Sequence, residues 1–169
     1  IVSDYGKGFI TDDLLDLLRR EADFLAIDPK PRRKVSYSSP DLMTPNKTES
    51  LQLAGLDKAD FLDFPEEAVT EAIVEGHKPR LLAITLGGDG MLLAEDGKVL
   101  RRIPTAAREV FDVSGAGDTV IAALTLALAA GASFEESAAF ANVAAGVVVG
   151  KVGTACASPE EIVAAISES

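Results

Sequence analysis

The sequence predicts an α/β fold, a doubly wound and mostly parallel sheet with helices on both faces. Two observations carry that prediction. Short runs rich in Ile, Leu and Val alternate with helix-length segments, the pattern of right-handed βαβ units. The Gly- or Asp-rich turns follow strands, and open sheets of this kind gather their ligand loops beyond the carboxyl ends of strands.

In chain order, residues 1–3 read as a strand and Asp4-Tyr5-Gly6-Lys7-Gly8 as the loop after it. Thr11 is an N-cap with Asp12 and Asp13 in the first turn. Leu14, Leu15, Leu17 and Leu18 then give an amphipathic helix to about residue 21. Residues 24–27 form a second strand, closed by Asp28-Pro29-Lys30-Pro31. The polar, basic stretch 31–40, with Arg32, Arg33 and Lys34, reads as loop. Leu42-Met43 is a brief strand ending at Thr44-Pro45-Asn46, before a helix over 47–54. Pro65 opens another helix, with apolar positions 68, 69, 72 and 73 and Gly76 as its stop. Residues 81–85 make a third core strand, followed by the turn Leu86-Gly87-Gly88-Asp89-Gly90. Runs 91–94 and 98–103 flank Asp96-Gly97, a two-residue hairpin signal. Glu109-Val110-Phe111 reads as a strand running into Asp112–Thr119, and 120–130 as a buried helix stopped by Gly131. A small-residue helix spans 134–149, and Ser158-Pro159-Glu160-Glu161 begins the last one.

Composition narrows the function. With 169 residues the chain is one domain's worth, enough to bury roughly two-thirds of its unfolded surface. Sixteen Lys and Arg against 27 Asp and Glu leave a net charge of −11, which argues against nucleic acid and anionic membrane as partners. The single cysteine, Cys156, excludes an internal disulfide, fits a reducing compartment and is read as structural. The apolar runs are too short to span a bilayer, so a cytoplasmic enzyme is expected. The chain opens without Met on a strand already in progress, and is expected to be a piece of a longer protein. His77 is read as a charge partner of a helix C-terminus.

Gly115-Ala116-Gly117-Asp118 is the centre of the chemistry. A glycine turn at a helix N-terminus offers unpaired N–H groups and the positive end of the dipole to an anion. Asp118 inside that cradle points to proton transfer where the anion reacts. No Gly-x4-Gly-Lys-Ser/Thr loop occurs, and Val120 stands where a dinucleotide fingerprint wants Gly or Ala. Asn46 and Glu49, one helical turn apart, can either cap the helix or converge on a hydrated cation, and both can hold.

Asp112-Val113-Ser114-Gly115-Ala116-Gly117-Asp118, followed by Ala122-Ala123-Leu124, resembles the second signature of the PfkB/ribokinase family of sugar kinases. The resemblance implies that Asp118 takes the proton from a sugar hydroxyl. It also implies that N–H groups of Gly115, Ala116, Gly117 and Asp118 hold the phosphoryl group in transfer. Thr44-Pro45-Asn46-Lys47-Thr48-Glu49 carries the family's Asn-x-x-Glu, implying Mg²⁺ near Asn46 and Glu49. Thr85-Leu86-Gly87-Gly88-Asp89-Gly90 is similar to its Thr-x-Gly-x-x-Gly, implying that Thr85, Gly87 and Gly90 lie against ATP. The helix at Asn142-Val143-Ala144-Ala145-Gly146 is small enough for close approach of a flat base, or for close helix packing. Asp4-Tyr5-Gly6-Lys7-Gly8, Asp28-Pro29-Lys30 and residues 142–154 resemble one branch, the heptose-7-phosphate kinases of lipopolysaccharide precursor synthesis. There Lys30 would neutralise nucleotide phosphate. Pro31-Arg32-Arg33-Lys34 departs from the Gly often found after that Lys.

Residues 1–169 are thus expected to be the nucleotide-binding and catalytic part of one ribokinase-like domain, without its N-terminal half and lid. The fragment alone is expected to be inactive. The partners expected are ATP, Mg²⁺ and a sugar or sugar phosphate, and a homodimer is allowed for. The alternatives are another sugar or nucleoside kinase (ribose, fructose), a non-catalytic nucleotide-binding module, and a Rossmann-type oxidoreductase.

Overall fold

Alternation of side chains along the central strands builds two cores, one on each face of a six-stranded sheet. In the computed structural model, which describes residues 1–31, 35–107 and 110–168, the strands are β1 (Val2–Ser3), β2 (Ala26–Asp28), β3 (Leu42–Met43), β4 (Leu81–Thr85), β5 (Met91–Glu95) and β6 (Lys98–Ile103). They lie in the order β1-β2-β3-β4-β5-β6. The first four run parallel, and β5 and β6 add an antiparallel hairpin at one edge.

Right-handed crossovers that all proceed in one direction put their helices on one face. There α1 (Asp12–Glu21), α2 (Lys47–Ala54) and α3 (Glu66–His77) bury Leu15, Leu51, Val69 and Ile73 against Ile27, Met43, Leu82, Ile84 and Leu92. The intervening strand residues Ala26, Leu42, Leu81, Ala83, Met91 and Leu93 point the other way. They are covered by Val120, Ile121 and Leu124 of α4 (Ala116–Ala129) and Phe134, Ala138 and Ala141 of α5 (Phe134–Val149). The last helix, α6 (Pro159–Ser167), packs on α5.

Helix starts follow the caps in the sequence. Thr11 caps α1, and full capping boxes open α2, α5 and α6 from Asn46, Ser133 and Ser158. Ser133→Ala removes the acceptor for the Glu136 N–H, and should cost about 1 kcal/mol in urea unfolding. A loss within experimental error would mean that α5 is held by its packing alone.

Three expectations change. Gly76 does not end α3, which continues to His77 and closes with Lys78 in the left-handed region at φ 53°. The next residue, Pro79, has no N–H to offer and forces the stop there. Among the described residues no strand runs directly into the glycine turn. Glu109 lies outside the described residues, and Val110 and Phe111 belong to no strand. The Phe111 and Asp112 N–H groups instead donate to the Val149 carbonyl at the end of α5, at 2.8 and 3.2 Å. Finally, α4 begins at Ala116 rather than at the apolar run. Gly115 at φ 81° turns the chain directly into a helix whose first turn holds Gly117 and Asp118. Arg32, Arg33 and Lys34 lie outside the described residues. Among the described residues no helix is long and apolar enough to cross a membrane.

Candidate active site

Parallel strands deliver their loops to a common edge, and α4 brings its N-terminus to the same place. A cavity of about 130 Å³ forms there. Asp4 and Tyr5 reach it from the end of β1, Asp28 and Lys30 from β2, Thr44, Asn46 and Glu49 from β3 and the start of α2. Thr85 closes it from β4, and Gly115, Gly117 and Asp118 from the turn into α4. Backbone pairing between Asn46 and Thr85, with the Thr85 N–H on the Pro45 carbonyl at 3.0 Å, locks two of these loops together.

The Asp118 carboxylate is held at both oxygens. The Ser3 hydroxyl donates to Oδ1 at 3.0 Å and the Tyr5 hydroxyl to Oδ2 at 2.8 Å. The bond to Asp118 raises the Tyr5 phenol above its ordinary pKa, with Ser3 opposing. Each carboxylate oxygen keeps a further lone pair for a substrate hydroxyl. Among the described residues, no hydrogen bond takes the N–H of Gly117 or Asp118. A Cβ built on Gly117 would meet nothing within 4 Å, so the first turn of α4 stays open to the cavity. Asp112 accepts the Ser114 N–H at 2.9 Å, which shapes the turn and holds its carboxyl below the ordinary range.

The opposite wall carries charge. Lys30 Nζ is ion-paired with Glu49 Oε1, and Glu49, only 6% exposed, also accepts the Asn46 N–H at 3.0 Å. Asn46 Oδ1 accepts the N–H groups of Thr48 and Glu49, so the helix-capping reading of this pair is realised. Burial, then the negative charges of Glu49 and Asp118, push the Asp28 carboxyl from 3.8 up to about 7, with Lys30 opposing. Among the described residues no three His, Cys, Asp or Glu are grouped to grip a metal directly. The cavity does have four carboxylates, Asp4, Asp28, Glu49 and Asp118, against one ammonium, a charge surplus that fits a hydrated divalent ion keeping its own waters.

A pH dependence follows. The folded chain binds the Asp28 proton more tightly than the unfolded chain, so Asp28 increasingly destabilises the fold as pH rises from 3.8 to about 7. Asp28→Asn should therefore raise stability by about 2 kcal/mol near pH ~8 and by little near pH ~4 in urea unfolding. Equal effects at both pH values would show that the carboxyl titrates normally.

A second cavity, about 370 Å³, adjoins the first, and Thr85 and Gly117 line both. Gly87, Gly90, Ala116, Asn142 and Gly146 help to wall it, with Met91, Val120 and Val149 supplying apolar surface. Asn142 ties down the segment after β6, donating to the Pro104 carbonyl at 2.7 Å and accepting the Ala106 N–H at 3.4 Å. At Gly146 a Cβ would lie 3.2 Å from the backbone of Ala106 and Ala107, so its smallness serves this close crossing.

Every site residue named from the sequence lines one of these two joined cavities. Sequence reasoning missed Ser3 and Tyr5 as partners of Asp118, and the charge on Asp28. Nothing in the local pattern signals a contact across more than a hundred residues. His77 is half-buried, and burial lowers its pKa, which weighs against its reading as a helix-end charge. Cys156 is exposed.

A family model described as pfkB family carbohydrate kinase matches residues 1–161. The bifunctional protein HldE of Desulfatibacillum aliphaticivorans is 43% identical over 172 residues, covering 99% of this chain and 35% of that protein. Its counterpart in Geobacter sulfurreducens is 42% identical over 170 residues, covering 98% and 34%. The chain thus spans about a third of the length of the curated relatives it matches. Among solved structures, ribokinase from Thermotoga maritima aligns with a TM-score of 0.78 at 26% identity, over 91% of this chain and 52% of that one. Phosphofructokinase-2 from Escherichia coli aligns at 0.77 and 21% identity, over 95% and 53%, a likeness of fold alone.

Proposed function

Because the chain belongs to the pfkB family of carbohydrate kinases, we propose that its complete polypeptide transfers the γ-phosphoryl group of ATP to a hydroxyl of heptose 7-phosphate. The observation that carries the reading is the placement of Asp118. Its carboxylate and the unpaired N–H groups of Gly117 and Asp118 share one small polar cavity that opens into a larger apolar one.

In this reading the apolar cavity takes the nucleotide base, with Thr85, Gly87, Gly90 and Asn142 in its wall. The phosphates run past Gly117 into the polar cavity. Asp118 accepts the proton of the sugar hydroxyl as that oxygen bonds to the γ-phosphorus and the bond to the β,γ-bridging oxygen breaks, releasing ADP. The proton then leaves Asp118 for solvent. The N–H groups of Gly117 and Asp118 bind the equatorial oxygens, where their dipoles are already oriented, while the Ala116 N–H is taken by the Val113 carbonyl. Lys30 neutralises phosphate charge, and Asn46, Glu49 and Asp28 are the residues that would hold Mg²⁺. When bound, the ion screens phosphate charge and orients the oxygens. A single exposed thiol and the use of ATP suit a cytoplasmic setting.

The sugar is drawn from the HldE relatives and the branch-specific loops, and ribose is the comparison drawn from the Thermotoga ribokinase. Turnover of the complete polypeptide on heptose 7-phosphate, ribose, fructose and nucleosides tests the choice. The highest kcat/KM is expected for heptose 7-phosphate. A preference for ribose would move the protein to another branch, and ATP binding without turnover on any sugar would make it a nucleotide-binding module.

A further inference from the structure

Tyr37 lies between β2 and β3, outside any helix or strand, yet it is only 1% exposed. Its ring packs in the core with Val2, Leu25 and Ile27, a seat that Phe would fill equally well. Its hydroxyl is used by two loops. It donates to Asp4 Oδ2 at 2.6 Å, a shorter contact than the 3.3 Å to the Lys30 carbonyl, and accepts the Lys30 N–H at 3.1 Å. Asp4, 5% exposed, accepts the Gly6 N–H at 2.7 Å through its other oxygen. A buried carboxylate is costly unless bonded, and Tyr37 supplies the bond to the Asp4 oxygen that Gly6 leaves free. Burial and Asp4 hold the phenol protonated well above its ordinary range, so it remains a donor at any working pH.

The two ends of this bridge lead to the two sides of the cavity. The residue after Asp4 is Tyr5, which bonds Asp118 Oδ2, and Lys30 carries the ammonium paired with Glu49. We infer that Tyr37 is a positioning residue, its hydroxyl clamping the turn that presents Tyr5 to Asp118 onto the backbone of the loop that presents Lys30. The inference rests on the kinase reading above and adds to it a group outside the cavity.

Tyr37→Phe in the complete polypeptide keeps the ring and removes the clamp. The expected result is a kcat about tenfold lower, the rate equivalent of one buried hydrogen bond, with KM for ATP and for the sugar unchanged. Combined with Tyr5→Phe, the loss should be clearly less than the product of the two single losses, since both act along one path to Asp118. A wild-type kcat in Tyr37→Phe, or losses that multiply in the double variant, overturns the inference alone. A wild-type polypeptide that phosphorylates no sugar overturns the kinase reading and the inference with it. If Tyr37→Phe does not fold, hydrogen exchange of the Lys30 amide in the unsubstituted protein decides. Protection is expected, and exchange as fast as that of an open loop overturns the clamp.

Discussion

Asp118→Asn in the complete polypeptide should lower kcat about a thousandfold, while the nucleotide Kd changes little. The amide keeps the shape of the carboxylate and can still accept the Ser3 or the Tyr5 hydroxyl at its remaining oxygen. What it loses is the ability to take a proton from a sugar hydroxyl. The N–H groups of Gly117 and Asp118 belong to the backbone and survive the substitution, so phosphate contacts at the turn persist. The fold should also survive, because Ser3 and Tyr5 meet Asp118 at the solvent-exposed rim. Substrate binding measured beside turnover separates the outcomes. Near-wild-type turnover would remove Asp118 as the base, and a matching loss of nucleotide affinity would reassign it to binding.

Gly90→Ala should destabilise the fold by about 3 kcal/mol or more. Gly90 sits at φ 89°, and an added Cβ would lie 2.0 Å from the Ile103 carbonyl oxygen and 2.9 Å from Pro104 backbone atoms. None of these belongs to a side chain that could swing away. Relief requires the end of β6 to separate from β5, where Met91 pairs with Ile103. The segment leaving β6 is the one pinned by Asn142, so the apolar cavity should lose its wall and nucleotide affinity should fall with stability. Gly88→Ala two residues away is the control, since its Cβ would meet nothing within 4 Å. Urea unfolding with a cost below about 1 kcal/mol for Gly90→Ala would show that the hairpin end yields easily.

Much of the site was legible because strand ends and helix starts have local signals. Asp28-Pro29-Lys30, Thr44-Pro45-Asn46 and Thr85-Leu86-Gly87 each follow an apolar run, so a parallel arrangement brings them to one edge before any pairing is known. The Asn46–Glu49 capping box and the Ser133 and Ser158 caps are three-residue relations that a sequence displays directly. What stayed hidden is set by distant contacts. Phe111 looks like the end of a strand and Asp112 like the start of its turn, yet their N–H groups are taken by Val149 at the end of α5. Tyr37 reads as a loop residue until the fold places Asp4 beside it. Asp28 reads as a turn acid until Glu49 and Asp118 crowd it. Gly90 reads as a ligand-facing glycine and Gly146 as part of a helix suited to a flat base or to close helix packing, whereas their lack of a Cβ is first demanded by backbone crossing at residues 103–107.

The central claim is that the turn from Gly115 to Asp118 holds a phosphoryl group while it passes to a sugar. The fate of labelled γ-phosphate tests it most directly, with the complete polypeptide, ATP, Mg²⁺ and heptose 7-phosphate. The label is expected on the sugar, with Asp118→Asn slowing this transfer about a thousandfold while ATP remains bound. Label released only as inorganic phosphate, or carried to the sugar at the same rate by the Asn variant, would contradict it.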